Sequence, residues 1–209
     1  MGEIKINCAK VGMIGTNCYL VYDEDLKETV IIDPGDNGAF LVASIDRMGL
    51  KPVAIFLTHA HFDHIGAVKE LRERYDLPVY IHSLDRKMLE DPDINMSGSI
   101  SIELTDRDVL LEGGETLNVG GMEFKVIATP GHTPGGTCYY MENENILFAG
   151  DTMFRFSWGR TDFPGGSERD LMESIRTKLL PLPEETIVYP GHEGPTSIKN
   201  ERMTHGYTV

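Results

Sequence analysis

The sequence has little positive charge. It contains 19 lysines and arginines against 33 aspartates and glutamates, which gives a formal net charge of −14. This balance argues against a nucleic-acid-binding protein, because such proteins neutralise phosphates with Lys and Arg. It also disfavours long-range electrostatic attraction of anionic substrates, unless bound metal ions reverse the local potential.

Cysteines and long hydrophobic runs are also scarce. The three cysteines, Cys8, Cys18 and Cys138, are odd in number and contain no C-x-x-C pair, which argues against a disulfide framework and indicates a reducing compartment. No segment approaches transmembrane length, and the first residues lack the apolar core of a signal peptide. We therefore expect a cytoplasmic protein that does not interact with membranes.

No linker or low-complexity tract divides the 209 residues, so the sequence predicts one domain over residues 1–209 with a sizeable core. Strand and helix patterns interleave in both halves, which predicts sheets covered by outer helices. The predicted strands are 3–9, 18–22, 29–32, 53–57, 79–81, 115–119, 123–128, 136–141, 145–149 and 187–189. The predicted helices are 38–48, 64–75 and one that begins after Ser167, where Ser167 and Asp170 resemble a capping box. Residues 83–108 predict a helix followed by a loop.

The most informative motif follows the predicted strand 53–57. It reads Thr-His-Ala-His-Phe-Asp-His over residues 58–64, with three histidines and one aspartate in six positions. Imidazole nitrogens and carboxylate oxygens are ligands of zinc, iron and manganese. The spacing is too tight for one ion to use all four side chains, so we expect two neighbouring ions.

Three further motifs place a histidine or an aspartate beside a glycine after a predicted strand. These motifs are Gly131-His132, Gly150-Asp151 and Gly191-His192. Each alone is more often a turn than a metal ligand, but their joint occurrence with the first motif indicates a shared metal site. Asp33 also ends a strand, but Asp-Pro-Gly is ordinary turn chemistry, and a supporting role at the site is the alternative.

Two histidines lack this context. We expect His82 and His205 to be structural or surface residues.

In these motifs and their order, the sequence resembles the metallo-β-lactamase superfamily. The resemblance covers nearly the whole chain and implies an α/β fold, an αβ/βα four-layer sandwich of two mixed sheets flanked by helices. It implies that His59, His61 and His132 hold one ion and that Asp63, His64 and His192 hold the other. It also implies that Asp151 bridges the two ions.

Within that superfamily, the stretch Trp158–Gly166 is similar to the short bacterial branch of the hydroxyacylglutathione hydrolases, or glyoxalase II enzymes. The resemblance implies hydrolysis of a small-molecule thioester such as S-D-lactoylglutathione. Two divalent ions, with zinc favoured over iron and manganese, would generate a bridging hydroxide that attacks the acyl carbon. Asp63 would also orient this hydroxide and so act as a catalytic residue.

The sequence departs from that group at the residues expected to bind glutathione. Arg160 stands where the family has a lysine and could still bind a carboxylate of the substrate. Asp162 and Gly194 stand where the family has tyrosines. The catalytic half of the resemblance is therefore closer than the glutathione-binding half.

Two alternatives use the same fold. A persulfide dioxygenase would hold one iron through His59, His132 and Asp151, and a non-catalytic binding domain would use the metals for stability alone. A β-lactamase is disfavoured because such enzymes are usually exported. An RNA-processing nuclease is disfavoured by the length of the chain and its charge. The sequence leaves the oligomeric state open.

Overall fold

The computed structural model describes residues 2–204, and its strands form two six-stranded sheets and one hairpin. In spatial order, the first sheet contains β1 (Ile4–Val11), β2 (Thr16–Asp23), β3 (Glu28–Ile32), β4 (Lys51–Phe56), β5 (Val79–His82) and β6 (Val109–Leu111). Strands β1, β2 and β3 are antiparallel, and β3, β4, β5 and β6 are parallel. The first sheet is therefore mixed.

The second sheet is built from the C-terminal half of the chain. In spatial order, it contains β7 (Thr116–Val119), β8 (Met122–Ala128), β9 (Thr137–Met141), β10 (Ile146–Gly150), β13 (Ile187–Pro190) and β14 (Thr196–Ser197). The hairpin of β11 (Met153–Phe154) and β12 (Ser157–Trp158) lies between β10 and β13 in the chain. Strands β10 and β13 are parallel and the other pairs are antiparallel, so this sheet is also mixed.

Helices cover the outer faces of both sheets. They are α1 (Gly38–Met48), α2 (Phe62–Ile65), α3 (Val68–Tyr75), α4 (Arg86–Glu90), α5 (Glu168–Ser174) and α6 (Ile198–Thr204). Helices α1 and α3 pack on the first sheet, and α5 packs on the second. The predicted four-layer αβ/βα sandwich is confirmed. No helix within residues 2–204 is both long and apolar enough to cross a membrane.

The alternation of side chains along β3 shows how the layers are held together. Val30 and Ile32 belong to the core between the two sheets, and Ile31 belongs to the core beneath the helices. Successive side chains of a strand point to opposite faces, so a continuous apolar run is buried on both sides. Burial of each such side chain contributes about 1.5–3 kcal/mol.

The prediction of one helix over residues 64–75 is wrong. The structure has two helices, α2 and α3, with a break at Gly66 and Ala67. Gly66 N donates to Gly35 O at 3.0 Å and Ala67 N donates to Pro34 O at 2.9 Å, so these two amides leave the helical pattern for the Asp-Pro-Gly loop. A Cβ on Gly66 would collide with Gly35 O. This close contact fixes α2 against the loop after β3.

Residues 83–108 contain α4 and an irregular segment, as predicted. The predicted strands are confirmed, with ends that differ by a few residues. The sequence reasoning missed β6, β14, α6 and the β11–β12 hairpin, all of which are short. Ser167 caps α5 by accepting a hydrogen bond from Asp170 N at 3.3 Å, but Ser167 N donates to Gly131 O at 2.7 Å. The capping box is therefore only half formed.

Candidate metal centre

The four predicted motifs meet at one edge of the sandwich. Strands β8, β10 and β13 run in the same direction, so the loops that follow them leave the second sheet on the same side. The loop after β4 faces them from the first sheet. All seven predicted ligand residues lie in this cluster, in three overlapping groups whose donor atoms are within 4.8 Å of one another. They are His59, His61, Asp63, His64, His132, Asp151 and His192.

The first group consists of three buried imidazoles, those of His59, His61 and His132. Their ring centroids lie 4.7–4.8 Å apart and the rings are close to perpendicular, with interplanar angles of 80–84°. His61 Nδ1 and His132 Nε2 are 2.9 Å apart. Three nitrogens that converge from perpendicular rings match the requirement of a tetrahedral ion with one open position.

The second group consists of Asp63, His64 and His192. Asp63 Oδ2 lies 3.2 Å from His192 Nε2 and 3.4 Å from His64 Nε2. This group differs from the first in containing a carboxylate, so it offers a harder set of donor atoms.

Asp151 lies between these two groups and forms the third group with His59 and His64. Its Oδ1 is 3.4 Å from His64 Nε2, and its Oδ2 is 3.5 Å from His192 Nε2 and 3.6 Å from His132 Nε2. One carboxylate therefore faces imidazoles of both groups. A Cβ on Gly191 would collide with the Asp151 carboxylate, which explains why a glycine precedes His192.

Hydrogen bonds from the far side of the rings fix the orientation of two histidines. His132 Nδ1 lies 2.7 Å from Arg160 O. A carbonyl can only accept, so Nδ1 carries the proton and the lone pair of Nε2 faces the cluster. Thr58 Oγ1 donates to Asp33 Oδ2 at 2.7 Å and lies 3.1 Å from His59 Nδ1, so it accepts the proton of His59 Nδ1. His59 Nε2 then also faces the cluster.

Three buried atoms at the centre have no hydrogen-bond partner: His59 Nε2, His64 Nε2 and Asp151 Oδ1. A buried polar group without a partner costs about 1–3 kcal/mol. Imidazole nitrogen and carboxylate oxygen are donors to zinc, iron and manganese, so cations at this position would satisfy all three. The residues present therefore fit a metal centre.

The two groups differ in protonation when metal ions are absent. Burial, and then the neighbouring imidazoles, lower the pKa of His59 far below its usual range and that of His61 to about 3. Burial opposes charge on His192 as well, but its hydrogen bonds to Asp151 and Asp63 raise its pKa to about 9. His59 and His61 are therefore neutral at pH 7.

The second group and Asp151 are charged. Despite burial, the carboxylates of Asp33, Asp151 and Asp63 raise the pKa of His64. The charge of His64 outweighs burial at Asp63 and lowers the pKa of that carboxyl group to about 2, and it lowers the pKa of Asp151 as well.

From the sequence, Asp33 is expected to form a turn, with a supporting role at the site as the alternative. The structure shows the supporting role. Asp33 Oδ2 lies 2.9 Å from His64 Nδ1, and Asp33 Oδ1 accepts from Thr58 N at 2.8 Å. The residue adopts a left-handed backbone with φ of 51°. A carboxylate behind a histidine ligand orients the ring and raises its basicity.

Strand β2 supports the second group. Thr16 Oγ1 donates to Asp63 Oδ2 at 2.7 Å. Asn17 Nδ2 donates to Pro190 O and Glu193 O at 3.0 and 3.1 Å, on either side of His192. No sequence pattern indicates these contacts, because a polar residue at the start of a strand has many other uses.

Asp85 was also missed. It is buried and accepts hydrogen bonds from Thr133 Oγ1 and Gly135 N, both at 2.7 Å, and so holds the loop that carries His132. His82 is buried and accepts a hydrogen bond from Leu84 N at 3.3 Å, which confirms its structural role. His205 lies outside the described residues.

Arg160 lies at the rim of the cluster. Its guanidinium donates to both carboxylate oxygens of Asp162 at 2.9 and 2.7 Å and lies 4.3 Å from the centroid of the Phe163 ring. Both members of this ion pair are exposed. The side chain that the sequence predicted to bind substrate is thus already paired, and a substrate carboxylate would have to share it with Asp162.

Comparisons with known proteins agree with the fold. The family model described as the metallo-β-lactamase superfamily matches residues 11–192. The probable metallo-hydrolase YqgX of Bacillus subtilis is 43% identical over 195 residues, which is 92% of each chain. Hydroxyacylglutathione hydrolase GloC of Haemophilus influenzae is 35% identical over 196 residues, covering 91% of this chain and 92% of GloC.

Two solved structures are similar over almost their whole length. BLEG-1, a B3 metallo-β-lactamase, is 44% identical with a TM-score of 0.90, and the alignment covers 95% of this chain and 97% of BLEG-1. TTHA1623 in a di-iron-bound form is 40% identical with a TM-score of 0.84, covering 95% of this chain and 98% of TTHA1623.

Proposed function

This chain belongs to the metallo-β-lactamase superfamily, and we propose that it is a hydrolase of acyl thioesters that uses two divalent metal ions. The observation that carries the proposal is the position of Asp151 between two donor groups, within 3.6 Å of imidazole nitrogens in both. His59, His61 and His132 would hold one ion, and Asp63, His64 and His192 the other. A single structural ion would not need seven converging side chains.

Two adjacent cations supply two things to such a reaction, a water of lowered pKa and stabilisation of negative charge on the acyl oxygen. The protein's own contribution is to hold the donors in place. Asp63 Oδ2 also accepts the hydrogen bond of Thr16, so one carboxylate is oriented from several sides. Its pKa of about 2 makes Asp63 a weak base at neutral pH, and we assign it the orientation of the attacking water rather than its deprotonation.

Two observations support a thioester as the substrate. The relative from Haemophilus influenzae carries the name of a thioester hydrolase, hydroxyacylglutathione hydrolase. In addition, all five histidines of the cluster are used as donors in the proposed arrangement. A thiolate leaves without protonation, so this reaction does not need a further histidine as a general acid.

We propose zinc as the resident metal, with iron and manganese as alternatives. The di-iron form of TTHA1623 favours a test of iron in particular. With iron, the second candidate function is a persulfide dioxygenase that uses His59, His132 and Asp151, of which His132 Nε2 lies 3.6 Å from Asp151 Oδ2. The free thiols of Cys8, Cys18 and Cys138 support a reducing, cytoplasmic location.

A substrate panel on one metal-loaded preparation tests the proposal. We expect loss of the thioester absorbance of S-D-lactoylglutathione or of a simple acyl thioester, with no hydrolysis of a cephalosporin and no oxygen consumption with glutathione persulfide. Cephalosporin hydrolysis without thioester hydrolysis would replace the proposal with a β-lactamase. Oxygen consumption with one bound iron would replace it with the dioxygenase.

A further inference from the structure

A cavity of about 230 Å³ adjoins the metal centre on the side of the second donor group. Met13 and Ile14 from the β1–β2 turn, Phe62 from α2, and Ile100 contribute apolar side chains to its lining. Asp63 lines the cavity and also belongs to the second donor group. The cavity therefore borders the cluster at Asp63.

The β1–β2 turn presents unusually exposed apolar side chains. Met13 is 103% exposed and Ile14 is 57% exposed. They lie between Gly12 and Gly15, which both have positive φ angles, and Gly12 N donates to Asn37 Oδ1 at 2.9 Å, which anchors the turn. Apolar side chains held at the mouth of a concave site are typical of a binding groove, because the protein itself does not cover them.

The charge of the cavity limits the ligand. Its lining contains two carboxylates, Asp36 and Asp63, and no lysine or arginine in the described part of the chain. A substituent that carries a carboxylate would be repelled there, while a neutral hydrocarbon would cover the apolar side chains. The guanidinium of Arg160 lies elsewhere, with Phe163, whose ring is 5.4 Å from His61 in the first donor group.

We propose, on the basis of the thioester hydrolase function above, that this cavity binds the acyl chain of the substrate and that the preferred acyl group is a neutral aliphatic chain. Hydrolysis joins the oxygen of water to the acyl carbon, breaks the carbon–sulfur bond and yields a carboxylate and a thiol. The acyl substituent and the thiol sulfur are both bonded to the reacting carbon, so both must lie beside the cluster. The cavity on the Asp63 side offers apolar side chains and no positive charge, whereas the other side of the cluster carries the guanidinium of Arg160. This difference places the thiol carrier on the Arg160 side.

Acyl thioesters of N-acetylcysteamine test this inference, because this small neutral carrier keeps contacts with the thiol portion constant. On the zinc-loaded protein, we expect kcat/KM to rise from acetyl through butyryl to hexanoyl, by about fourfold for each methylene that becomes buried. The D-lactoyl thioester should be hydrolysed less efficiently than the butyryl thioester. Equal kcat/KM values across the series would overturn the acyl pocket.

Variants connect the preference to the cavity. In the Met13→Ser, Ile14→Ser double variant, we expect the rise with chain length to fall to less than half of its wild-type slope. Both side chains are exposed, so folding and metal content should be retained, and metal analysis checks this. Leu26→Ser is the matched control, because Leu26 is a 45% exposed apolar residue in the turn after β2. It should keep the wild-type slope.

The possible failures are distinguishable. Hydrolysis with an unchanged slope in the double variant would refute the acyl pocket and leave the hydrolase function intact. If the metal-loaded protein hydrolyses none of these thioesters nor S-D-lactoylglutathione, both the proposed function and the acyl pocket are wrong.

Discussion

Asp33 Oδ2 lies 2.9 Å from His64 Nδ1, and both side chains are buried. His64 belongs to the second donor group, whereas Asp33 also accepts the backbone and hydroxyl hydrogen bonds of Thr58, next to His59 of the first group. One carboxylate therefore supports a histidine of each group, directly for His64 and through Thr58 for His59.

Asp33→Asn should weaken the binding of the second ion. The amide is uncharged and holds the His64 ring less firmly, and changes of this kind behind a metal ligand cost about 10–100-fold in affinity. Titration of the metal-free variant with zinc against a chromophoric chelator measures this. Asp46→Asn is the control, because Asp46 forms an exposed ion pair with Arg74 at 3.2 Å. Wild-type affinity for both ions in Asp33→Asn would contradict the assigned role.

Asn17→Ala should lower both stability and the affinity for the second ion. It leaves Pro190 O and Glu193 O without the amide donor on either side of His192. We expect the free energy of unfolding to fall by about 1–3 kcal/mol. Second-ion affinity should fall about tenfold while first-ion affinity stays the same. Asn118→Ala, at an exposed position of β7, should change neither quantity. Equal loss of both ions would show that Asn17 acts only on the fold.

The two ions should respond differently to pH. His59 and His61 are neutral at pH 7 before metal binds. Binding of an ion at the first group therefore releases almost no protons from these two side chains. His192 has a pKa of about 9, so below pH 9 the second ion must displace a proton from it. The raised pKa of His64 acts in the same direction.

Second-ion affinity should therefore rise as the pH increases from 6 to 8, by about tenfold per pH unit for each displaced proton. First-ion affinity should change much less over this range. Competition titrations at pH 6, 7 and 8 measure both affinities. Equal pH dependence of the two ions would show that the charge difference between the groups does not govern uptake.

Arg160→Ala should raise KM for a thioester with an anionic carrier, such as a glutathione thioester, and change kcat little. Since Arg160 is exposed and paired with Asp162, the effect should be small, about 2–5-fold. Asp162→Ala removes the competing carboxylate and should lower KM for the same substrate. Steady-state kinetics on the two variants, with a neutral carrier as the control, measure these changes. Unchanged KM in both variants would remove Arg160 from the substrate site.

Much of the site could be predicted because its residues are concentrated in short motifs that follow strands. The spacing in residues 58–64 and the Gly-His and Gly-Asp pairs identified seven side chains that the structure brings together. The role of these seven side chains as metal ligands stays a prediction. Alternating and continuous apolar runs predicted the longer strands in the same way.

The supporting contacts could not be predicted, because they join residues that are far apart in sequence. Thr16 and Asp63 are separated by 47 positions, and Thr133 and Asp85 by 48. The break between α2 and α3 has the same origin, since Gly66 bonds to Gly35 rather than along its own helix. Neither residue type nor local periodicity reports such pairings.

Stepwise metal reconstitution with a parallel activity measurement tests the central claim most directly. Metal-free protein is titrated with zinc, and thioester hydrolysis and bound zinc are measured on the same samples. We expect hydrolysis to reach its maximum only as the second equivalent of zinc binds. The Asp151→Ala variant lacks the only carboxylate that faces both donor groups within residues 2–204. We expect it to bind fewer than two ions and to lose activity. Full activity at one equivalent, or two tightly bound ions in Asp151→Ala, would contradict the two-ion centre.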